Sequence, residues 1–486
     1  MFSPSEAFWK EFFMVKSLIG LEIHAELSTK TKMFCACKNE FGATPNTNIC
    51  PICLGHPGTL PRLNKDAVRR AILAGFAMDC KIRRNFQMDR KKYFYPDLTK
   101  GFQISQNEEP ICYEGFIEIT TDKGTKKVRI ERIHIEEDTG KSNHTEDGST
   151  WMDYNRAGVP LIEIVTYPDM ESGEEARLFL EALKERLKWT DVSDVKMEEG
   201  SLRCDVNFNL IDGERKTGIT EIKNLNSFRA VERAIEFEHA RHKKMLDDKI
   251  DERKETRRWD DAKGETVHMR FKETHADYRL SIEGDLPRVE LDEAWIDEIK
   301  KSLPELPHEL KARFVSEYGL RDYDADVLSQ NKARAVFFEE AVKEGADPSK
   351  LADWILTDVM RLLNESETEF EALKFGGKEL KTLIALVEDG KINAKTGKKV
   401  LRKMFETGKN PDAIVKEEGL VQISDMSLLE SVVDEVLAAN QESVEAFHNG
   451  RDRALGYLMG ECMKRTKGKG NPGIFNELLR KKLANK

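Results

Sequence analysis

The segment from Leu21 to Glu26 alternates apolar and polar residues, and its polar members include Glu22 and His24. Successive side chains of a strand point to opposite faces, so Glu22, His24 and Glu26 would share one face. Carboxylate oxygens and an imidazole nitrogen can bind a divalent cation or exchange protons. An ordinary edge strand with a solvated face has the same pattern, and these residues alone leave both interpretations open.

Four cysteines follow in two close pairs, Cys35 with Cys37 and Cys50 with Cys53. Four thiolates at such spacing are typical of a tetrahedral zinc site, and four protein ligands close its coordination shell. The pattern therefore predicts a structural zinc loop with no ligand position left for a substrate. A coincidental spacing or a pair of disulfides is the alternative, and His56 is near enough in sequence to replace one ligand.

The stretch DRKKYFYPDLTKGFQISQ places Lys91 and Lys100 on either side of the aromatic residues Tyr93, Phe94 and Tyr95. Cations among aromatic rings suit a ring system that carries phosphates, such as a nucleotide or an RNA end. A charged surface loop with aromatic anchors fits the same residues equally well.

Two adjacent carboxylates, Glu136 and Glu137, end the strand-like segment VRIERIHIEE and precede Asp138. Hard oxygen ligands of this kind suit magnesium. In a regular strand the two glutamates would point to opposite faces, so both would reach one ion only at a β-bulge or a strand end. An acidic turn that is merely solvated is the alternative.

Other strand-like segments also pair an apolar face with a polar one. In SLRCDVNFNL the polar face carries Arg203, Asp205 and Asn207, and in TEIKNLNSF it carries Glu221 and Lys223. Such a sheet buries only one side, and its other side can form the floor of a polar pocket. The segment DYNRAGVPLIEIVT adds polar residues, Asn155 and Arg156 among them, just before a strand that reads as buried.

The elements that must position these residues indicate an α+β fold. A helix is predicted from Lys65 to Met78 with Asn64 as its cap, and a hairpin is predicted with Lys123-Gly124 as its turn. Beyond residue 287 the pattern is helical, with Gly, Pro and Asp between the helices. The predicted domains are a mostly antiparallel sheet domain over 1–290, a helical domain over 291–390 and a small helical tail domain over 391–486.

The composition, 39% apolar and 34% charged over 486 residues, predicts a soluble multidomain protein. A net charge of -10 argues against a chain that binds nucleic acid over its whole surface. We expect no membrane segment, and the four dispersed cysteines suggest reduced thiols and a cytoplasmic location.

Residues 451–486 hold ten Lys and Arg against three Asp and Glu, which predicts a phosphate-contacting tail or simply a solubilising basic helix.

Several catalytic motifs are absent from the sequence. There is no GxxxxGK[ST] loop, no GxGxxG after a strand, no GxSxG turn and no Ser/Gly-rich nucleophile loop of the amidase kind. Nucleotide binding would therefore need another phosphate cradle. If the reaction needs ammonia, another protein must produce it.

Together, GLEIHAEL, the CxC and CPICLGHPGTLP pair, RKKYFYPDLTKGFQISQ, HIEEDTGK, DYNRAGVPLIEIVT, SLRCDVN and TEIKNLNSFRAVERAIEFE resemble the B-subunit family of aspartyl/glutamyl-tRNA amidotransferases. The resemblance covers nearly the whole chain. It implies a cradle-shaped catalytic domain with a zinc loop, a helical domain and a tail that recognises tRNA. It also implies ATP- and magnesium-dependent phosphorylation of Glu or Asp misattached to the tRNA for Gln or Asn, followed by amidation. Ammonia would come from an A-type amidase subunit, in a complex that also holds a small C-type subunit.

The same resemblance implies roles for individual residues. Glu22, His24, Glu136 and Glu137 would bind magnesium and serve catalysis, and Cys35, Cys37, Cys50 and Cys53 would bind zinc. Lys91 would act in catalysis, and the substrate would contact Lys100, Asn155, Arg156, Arg203, Asp205, Asn207 and Lys223. The chain departs from the family pattern at DYRLSIEGDLP, residues 277–287, and in its first dozen residues. A non-catalytic zinc-containing tRNA-binding scaffold and a metal-dependent nuclease are the competing hypotheses.

Overall fold

The computed structural model describes residues 15–145, 147–248, 253–271, 278–421, 426–448, 451, 453–466, 468 and 470–484. The chain forms two compact units, Met1–Leu306 and Pro307–Lys486. Residues 1–14, Asp277, Lys467 and Lys469, which contributed to the sequence interpretation, lie outside the described residues. No helix in the described part of the chain is long and apolar enough to cross a membrane.

The first unit is built around a ten-stranded sheet. The strands of this unit are β1 (Lys16–Glu26), β2 (Lys81–Ile82), β3 (Asn85–Phe86), β4 (Asp89–Lys92), β5 (Phe102–Ser105), β6 (Cys112–Thr121), β7 (Gly124–Glu137), β8 (Lys141–His144), β9 (Thr150–Asp153), β10 (Pro160–Thr166), β11 (Leu202–Asp212), β12 (Arg215–Lys216), β13 (Thr220–Lys223), β14 (Glu255–Asp260), β15 (Glu265–Phe271), β16 (Ser281–Ile282) and β17 (Val289–Glu290). The main path of the large sheet runs β15-β14-β13-β11-β1-β10-β7-β6-β2, with β12 paired to β11, and its neighbouring strands are antiparallel except for β13 with β14. Three small sheets, β16-β4-β5, β17-β3 and β8-β9, accompany it.

One face of the large sheet is apolar and is covered by helices. Leu21 and Ile23 of β1 are buried in one hydrophobic core with residues of α1 (Lys65–Ala77), α2 (Gly173–Trp189) and α3 (Phe228–Asp248). The predicted cap of α1 is confirmed, because the Asn64 side chain accepts hydrogen bonds from the first backbone N–H groups of the helix. With its apolar side buried by helices, the sheet has its polar residues on the opposite face.

A register shift in β7 decides which of its residues join that polar face. Val165 of β10 pairs with Arg132, whereas Thr166 pairs with Ile130, so Glu131 is an extra residue in β7. Such a bulge reverses the alternation of side chains. Strict alternation along VRIERIHIEE predicts that Val128 and Ile130 share a face with His134 and Glu136. The bulge makes that prediction wrong, because Val128 and Ile130 are buried in the apolar core. The hairpin itself forms, with Asp122 and Lys123 rather than Lys123-Gly124 between the paired Thr121 and Gly124.

The second unit is helical, as predicted, and α4 (Glu293–Lys301) precedes it. It contains a π-helical turn over Trp354–Val359 and a 3-10 turn over Phe370–Ala372. Its helices are α5 (Pro307–Tyr318), α6 (Asp322–Ser329), α7 (Lys332–Lys343), α8 (Pro348–Asp353), α9 (Met360–Glu365), α10 (Gly377–Glu388), α11 (Ala394–Thr407), α12 (Pro411–Glu417), α13 (Met426–Ala439), α14 (Gln441–His448), α15 (Arg453–Arg465) and α16 (Pro472–Ala484). A separate hydrophobic core joins α13, α15 and α16, from Leu429 to Leu483. The predicted division at residue 390 stays a prediction.

Candidate active site

Four adjacent strands place ionisable residues in one row across the polar face. His24 of β1 pairs with Glu163 of β10 on one side and with Arg203 of β11 on the other. Glu163 in turn pairs with His134 of β7. Because side chains at paired positions of neighbouring strands point the same way, the row brings two imidazoles, a carboxylate and a guanidinium together.

His24, His134, Glu136 and Glu163 form a compact group that we call the His24–Glu136 cluster. The His24 Nε2 atom lies 3.2 Å from Glu136 Oε1 and 3.4 Å from Glu163 Oε2. The His134 Nε2 atom lies 3.1 Å from Glu163 Oε2 and 3.7 Å from Glu136 Oε2. One donor atom each of His24, Glu136 and Glu163 lies within 4.8 Å of the others. These three residues therefore have the donor types and spacing to bind a divalent cation.

The imidazoles and carboxylates of this cluster stabilise one another's charged forms. Burial disfavours the imidazolium form, but hydrogen bonds to Glu136 and Glu163 outweigh it and raise the pKa of His24 to about 10. The same balance raises the pKa of His134. Burial would raise the pKa of Glu136 and Glu163, but the two histidines hold both carboxyl pKa values below the usual range. His134 Nδ1 is buried and has no hydrogen-bond partner among the described residues.

Glu22 belongs to a neighbouring acidic group and not to the His24–Glu136 cluster. Donor atoms of Glu22, Asp205 and Glu221 lie within 4.8 Å of one another. Asn207 Nδ2 donates to Glu22 Oε1 at 2.8 Å, and Lys223 Nζ binds Asp205 and lies 3.3 Å from Glu221 Oε1. Three of the predicted substrate-binding residues, Asp205, Asn207 and Lys223, are thus joined to Glu22 in a second potential cation site.

Glu136 and Glu137 point to different surroundings, as regular strand geometry requires. They pair with Leu161 and Pro160 of β10 without a register shift between them. Glu137 forms an ion pair with Lys100 and accepts a hydrogen bond from the Ile104 N–H at 3.0 Å. The β-bulge of β7 lies at Glu131, so it does not bring the two carboxylates together.

Lys91 lies on β4 close to the cluster. Its ammonium lies 5.1 Å from the centre of the Tyr278 ring and forms no ion pair with any described residue. Burial would lower the pKa of Lys91, but the negative field of Glu136 and Glu163 raises it. β4 pairs with β16, which belongs to the segment that departs from the family pattern, so this segment borders the site directly.

Arg156 and Arg203 converge on Asp138 at the end of β7. Arg203 Nη2 donates to Asp138 Oδ2, and Arg156 Nε lies 3.5 Å from the same atom. Arg156 also donates to the carbonyl oxygens of Thr139 and Gly140. Burial and the negative charge of Asp138 raise the pKa of the nearby Glu26 to about 7, against the effect of the two arginines.

Asn155 holds two loops together. Its Nδ2 donates to the Thr44 carbonyl oxygen at 2.7 Å, and its Oδ1 accepts from the Asn48 N–H at 2.8 Å. Both partners belong to the loop between the two cysteine pairs. In this conformation the Asn155 side chain is used for loop packing, and its predicted contact with substrate stays a prediction.

The four cysteines come together as the zinc interpretation requires. The Sγ atoms of Cys35, Cys37, Cys50 and Cys53 all lie within 4.8 Å of one another, and all four are free thiols. A hydrogen bond from Cys35, with help from the Cys50 N–H and the charge of Lys32 but against burial, lowers the pKa of Cys53 to about 5. Four thiolates at this spacing fit a tetrahedral zinc ion. His56 is not part of the group.

The sequence analysis assigned no site role to four residues that the structure places at the site: Lys32, His134, Glu163 and Glu221. Lys32 carries no pattern of its own beside the cysteines, and Glu221 was noted only because it shares a strand face with Lys223. Glu163 lies between Ile162 and Ile164, so period-two alternation already placed it opposite two core residues. His134 shares a face with Glu136 because the two are separated by one residue.

The chain matches two family models. The description of the first is GatB/GatE catalytic domain, and it matches residues 17–297. The second, a GatB domain, matches residues 336–483. Each match falls largely within one of the two compact units.

Curated relatives from three bacteria are similar over almost the full chain, and each is named as the B subunit of aspartyl/glutamyl-tRNA(Asn/Gln) amidotransferase. The protein of Finegoldia magna is 57% identical over 472 residues, which is 96% of this chain and 100% of the relative. That of Caldicellulosiruptor bescii is 51% identical over 473 residues, 96% of this chain and 98% of the relative. That of Clostridium botulinum strain Hall is 50% identical over 467 residues, with the same coverage of 96% and 98%.

Proposed function

The chain belongs to the GatB/GatE family of amidotransferase B subunits, and from that premise we propose that the His24–Glu136 cluster and its neighbours activate the side-chain carboxylate of a misacylated tRNA. The chain is part of a multi-subunit, ATP-using amidotransferase that acts on Glu-tRNA(Gln) or Asp-tRNA(Asn). The observation that supports the proposal is a polar sheet face with two acidic groups that could each hold a divalent cation, with Lys91 in the field of one group and Lys100 paired to the adjoining Glu137.

The chemistry requires two anions to meet. An oxygen of the substrate carboxylate attacks the γ-phosphorus of ATP, ADP departs, and an acyl phosphate results. Ammonia then attacks the carbonyl carbon, inorganic phosphate leaves and the nitrogen loses a proton, which gives the amide. A carboxylate is a poor electrophile until one of its oxygens becomes a phosphate leaving group. Fixed cations are therefore needed between the carboxylate and the triphosphate.

Lys91 is the residue best placed to supply such a cation. Its ammonium lies within the negative field of the two carboxylates of the cluster, which raises its pKa, but it forms an ion pair with neither of them. Lys100, in contrast, is bound to Glu137 in this structure. We propose that Lys91 contacts phosphate oxygens, and that Lys100 contributes when a substrate anion competes with Glu137 for it.

Magnesium fits the two acidic groups of the polar face by the type of their donors. We propose that His24, Glu136 and Glu163 hold one ion and that Glu22, Asp205 and Glu221 hold a second. The resemblance implies one magnesium site made of Glu22, His24, Glu136 and Glu137, whereas this proposal assigns Glu22 to one ion and His24 and Glu136 to another. Glu137 would orient Lys100 and bind no magnesium. When bound, magnesium would neutralise phosphate charge. His24 would give up the proton it shares with Glu136 and Glu163, because a metal ligand must be neutral imidazole.

The remaining assignments concern partners and location. We propose that an A-type amidase subunit supplies ammonia in a complex with a small C-type subunit, because the sequence has no nucleophile loop of its own. We propose zinc in the Cys35–Cys53 loop and a tRNA-binding role for the tail over 391–486. We also propose a cytoplasmic location, because the eight cysteines are free thiols and a reducing compartment keeps them so.

The experiment that tests the proposal uses the reconstituted complex with each mischarged tRNA, ATP and ammonium chloride in place of glutamine. We expect amide and phosphate to form together. In Glu163→Gln both products should fall while tRNA binding is retained, and Glu118→Gln, on the exposed face of β6, should match the wild type. Full amide formation by Glu163→Gln would favour the scaffold hypothesis. Cleavage of tRNA without ATP would favour a nuclease.

A further inference from the structure

Lys32 is a charged residue that lies next to the zinc loop and is completely buried, with 0% of its surface exposed. An ammonium group that has lost its hydration needs anionic or dipolar partners. Its Nζ atom lies 3.7 Å from Cys53 Sγ and donates to the Tyr154 carbonyl oxygen at 3.2 Å. The side chain thus connects a cysteine of the loop to the turn over residues 154–158.

The chemistry of the partner explains why a lysine is tolerated there. Four thiolates around one divalent ion carry an excess of negative charge, which a nearby ammonium compensates. Lys32 is also fixed through its backbone, because its N–H donates to the Cys37 carbonyl oxygen at 3.0 Å. Both ends of the residue therefore contact the cysteine loop.

The turn that Lys32 holds lies directly against Glu137. Gly158 has a φ of +87°, and a Cβ atom there would lie 3.5 Å from Cys53 Cβ, 3.6 Å from Lys32 Cδ and 3.9 Å from Glu137 Oε2. The Gly158 carbonyl accepts from the Met33 N–H at 2.7 Å. The zinc loop, the lysine stem and the Glu137 carboxylate thus meet around one glycine.

The opposite side of the loop reaches Lys100. The Thr99 hydroxyl donates to the Cys53 carbonyl oxygen at 2.9 Å, and Gly55 packs against Lys100 so closely that a Cβ would come within 2.6 Å of its Cγ. Lys100 binds Glu137. The loop therefore supports both members of this ion pair, one from each side.

We propose that Lys32 is a positioning residue for the amidation reaction: its buried ammonium fastens the 154–158 turn to the thiolate of Cys53 and thereby fixes Glu137 and Lys100. This inference rests on the proposed function for its effect on turnover. Its structural part, the coupling of the loop to the turn, stands on the contacts alone.

The test compares Lys32→Met with Lys30→Met, a matched change at an exposed lysine two residues away, in the reconstituted complex. We expect Lys32→Met to lower kcat with ammonium chloride by about tenfold or more, with a much smaller change in KM for the mischarged tRNA. Amide hydrogen exchange at Met33 and over residues 154–159 should accelerate, and a chelator should extract zinc faster. Lys32→Arg, which keeps the charge, should restore part of each.

Unchanged exchange at Met33 and Gly158 together with wild-type kcat would overturn the proposal. A lowered melting temperature alone, with normal exchange and kcat, would mean that Lys32 only stabilises the fold. If the wild-type complex forms no amide, the proposed function fails, while exchange and zinc release still decide the role of Lys32. If Lys32→Met does not fold, Gly158→Ala disturbs the same junction, and wild-type kcat in that variant would contradict the proposal.

Discussion

Two buried groups of charged residues in the first unit compensate their carboxylates in different ways. The His24–Glu136 cluster balances Glu136 and Glu163 with two imidazoles. A second group, which we call the Glu238 network, comprises Glu238, Arg241, His242, Glu255 and Arg257. There Arg241 Nη2 lies 2.6 Å from Glu238 Oε2 and 2.7 Å from Glu255 Oε1. Arg257 lies 3.4 Å from Glu238 and 3.2 Å from Glu255.

The difference lies in whether the positive charges can be removed. A guanidinium keeps its proton at any physiological pH, whereas an imidazole can release one. The Glu238 network also contains His242, but its two arginines keep their protons, so it is a structural ion cluster, in which Thr266 also donates to Glu238. The His24–Glu136 cluster compensates its carboxylates with protons that the proposed magnesium ion would replace, and the His24 side chain remains 24% exposed. The arginines of the Glu238 network compensate its carboxylates at any physiological pH, whereas the imidazoles of the His24–Glu136 cluster lose that role when they release their protons.

The largest expected effect is on turnover in Glu136→Gln. Loss of a carboxylate that we propose as a magnesium ligand should lower ATP-dependent amide formation by about 10³-fold. The free energy of unfolding should fall by less than in the Glu238 network, because the two imidazoles can release protons when the carboxylate is gone. Phosphate release and denaturant unfolding measure the two quantities, with exposed Glu118→Gln as the control. A large loss of stability with normal turnover would reverse the assignment of this cluster.

The opposite pattern is expected in the Glu238 network. Glu238→Ala should lower the free energy of unfolding by about 3–5 kcal/mol, because the arginines left behind cannot neutralise themselves. The turnover of the folded complex should be nearly unchanged. Glu236→Ala, an exposed glutamate on the same helix α3, is the control for helix propensity. Unfolding in urea measures the difference, and equal stability of the two variants would contradict the structural role of the network.

The pH dependence of the free energy of unfolding tests the charge state of Glu238 in the network. Burial disfavours the charged form, but hydrogen bonds from His242 and Arg241 prevail and lower the pKa of Glu238 to about 2. A carboxyl group whose pKa is depressed on folding stabilises the fold above its unfolded pKa and loses that contribution as the pH falls. Wild type should therefore exceed Glu238→Gln by about 3 kcal/mol above pH ~5, and the gap should close towards pH ~2. A gap that does not depend on pH in acid-induced unfolding would contradict the assigned charge state.

The smallest effect is expected at the basic tail, where paired and unpaired lysines are neighbours. Lys482 on α16 binds Glu430 and Asp434, whereas Lys481 is exposed and has no ion-pair partner among the described residues. Lys481→Gln should weaken tRNA binding by under about 1 kcal/mol and reduce the salt slope by about one charge. Lys482→Gln should have less effect on that slope. Equal slopes in both variants would argue against phosphate contact by this part of the tail.

The sequence alone predicted those parts of the fold that depend on local periodicity. The alternation in β1 and β11, the cap of α1 at Asn64 and the cysteine pairs are all present as expected. These features are set within a few residues, where backbone geometry couples directly to residue type. The predictions that failed depend on contacts between segments that are distant in the chain. The bulge at Glu131 has no local signal, because it is decided by the pairing of β7 with β10.

The division of the acidic residues into two groups was also beyond the sequence. Glu22 and His24 share a face of β1, but the partners of each come from different neighbouring strands, β11 and β13 for Glu22 and β7 and β10 for His24. Lys32 was hidden for the same reason, since its partner Tyr154 is distant in the chain. Which residues carry reactive groups, and on which face of each strand they start, is written in the sequence because it follows from side-chain alternation. Which of them meet is decided by strand order and register, because only tertiary packing brings distant segments within hydrogen-bond distance.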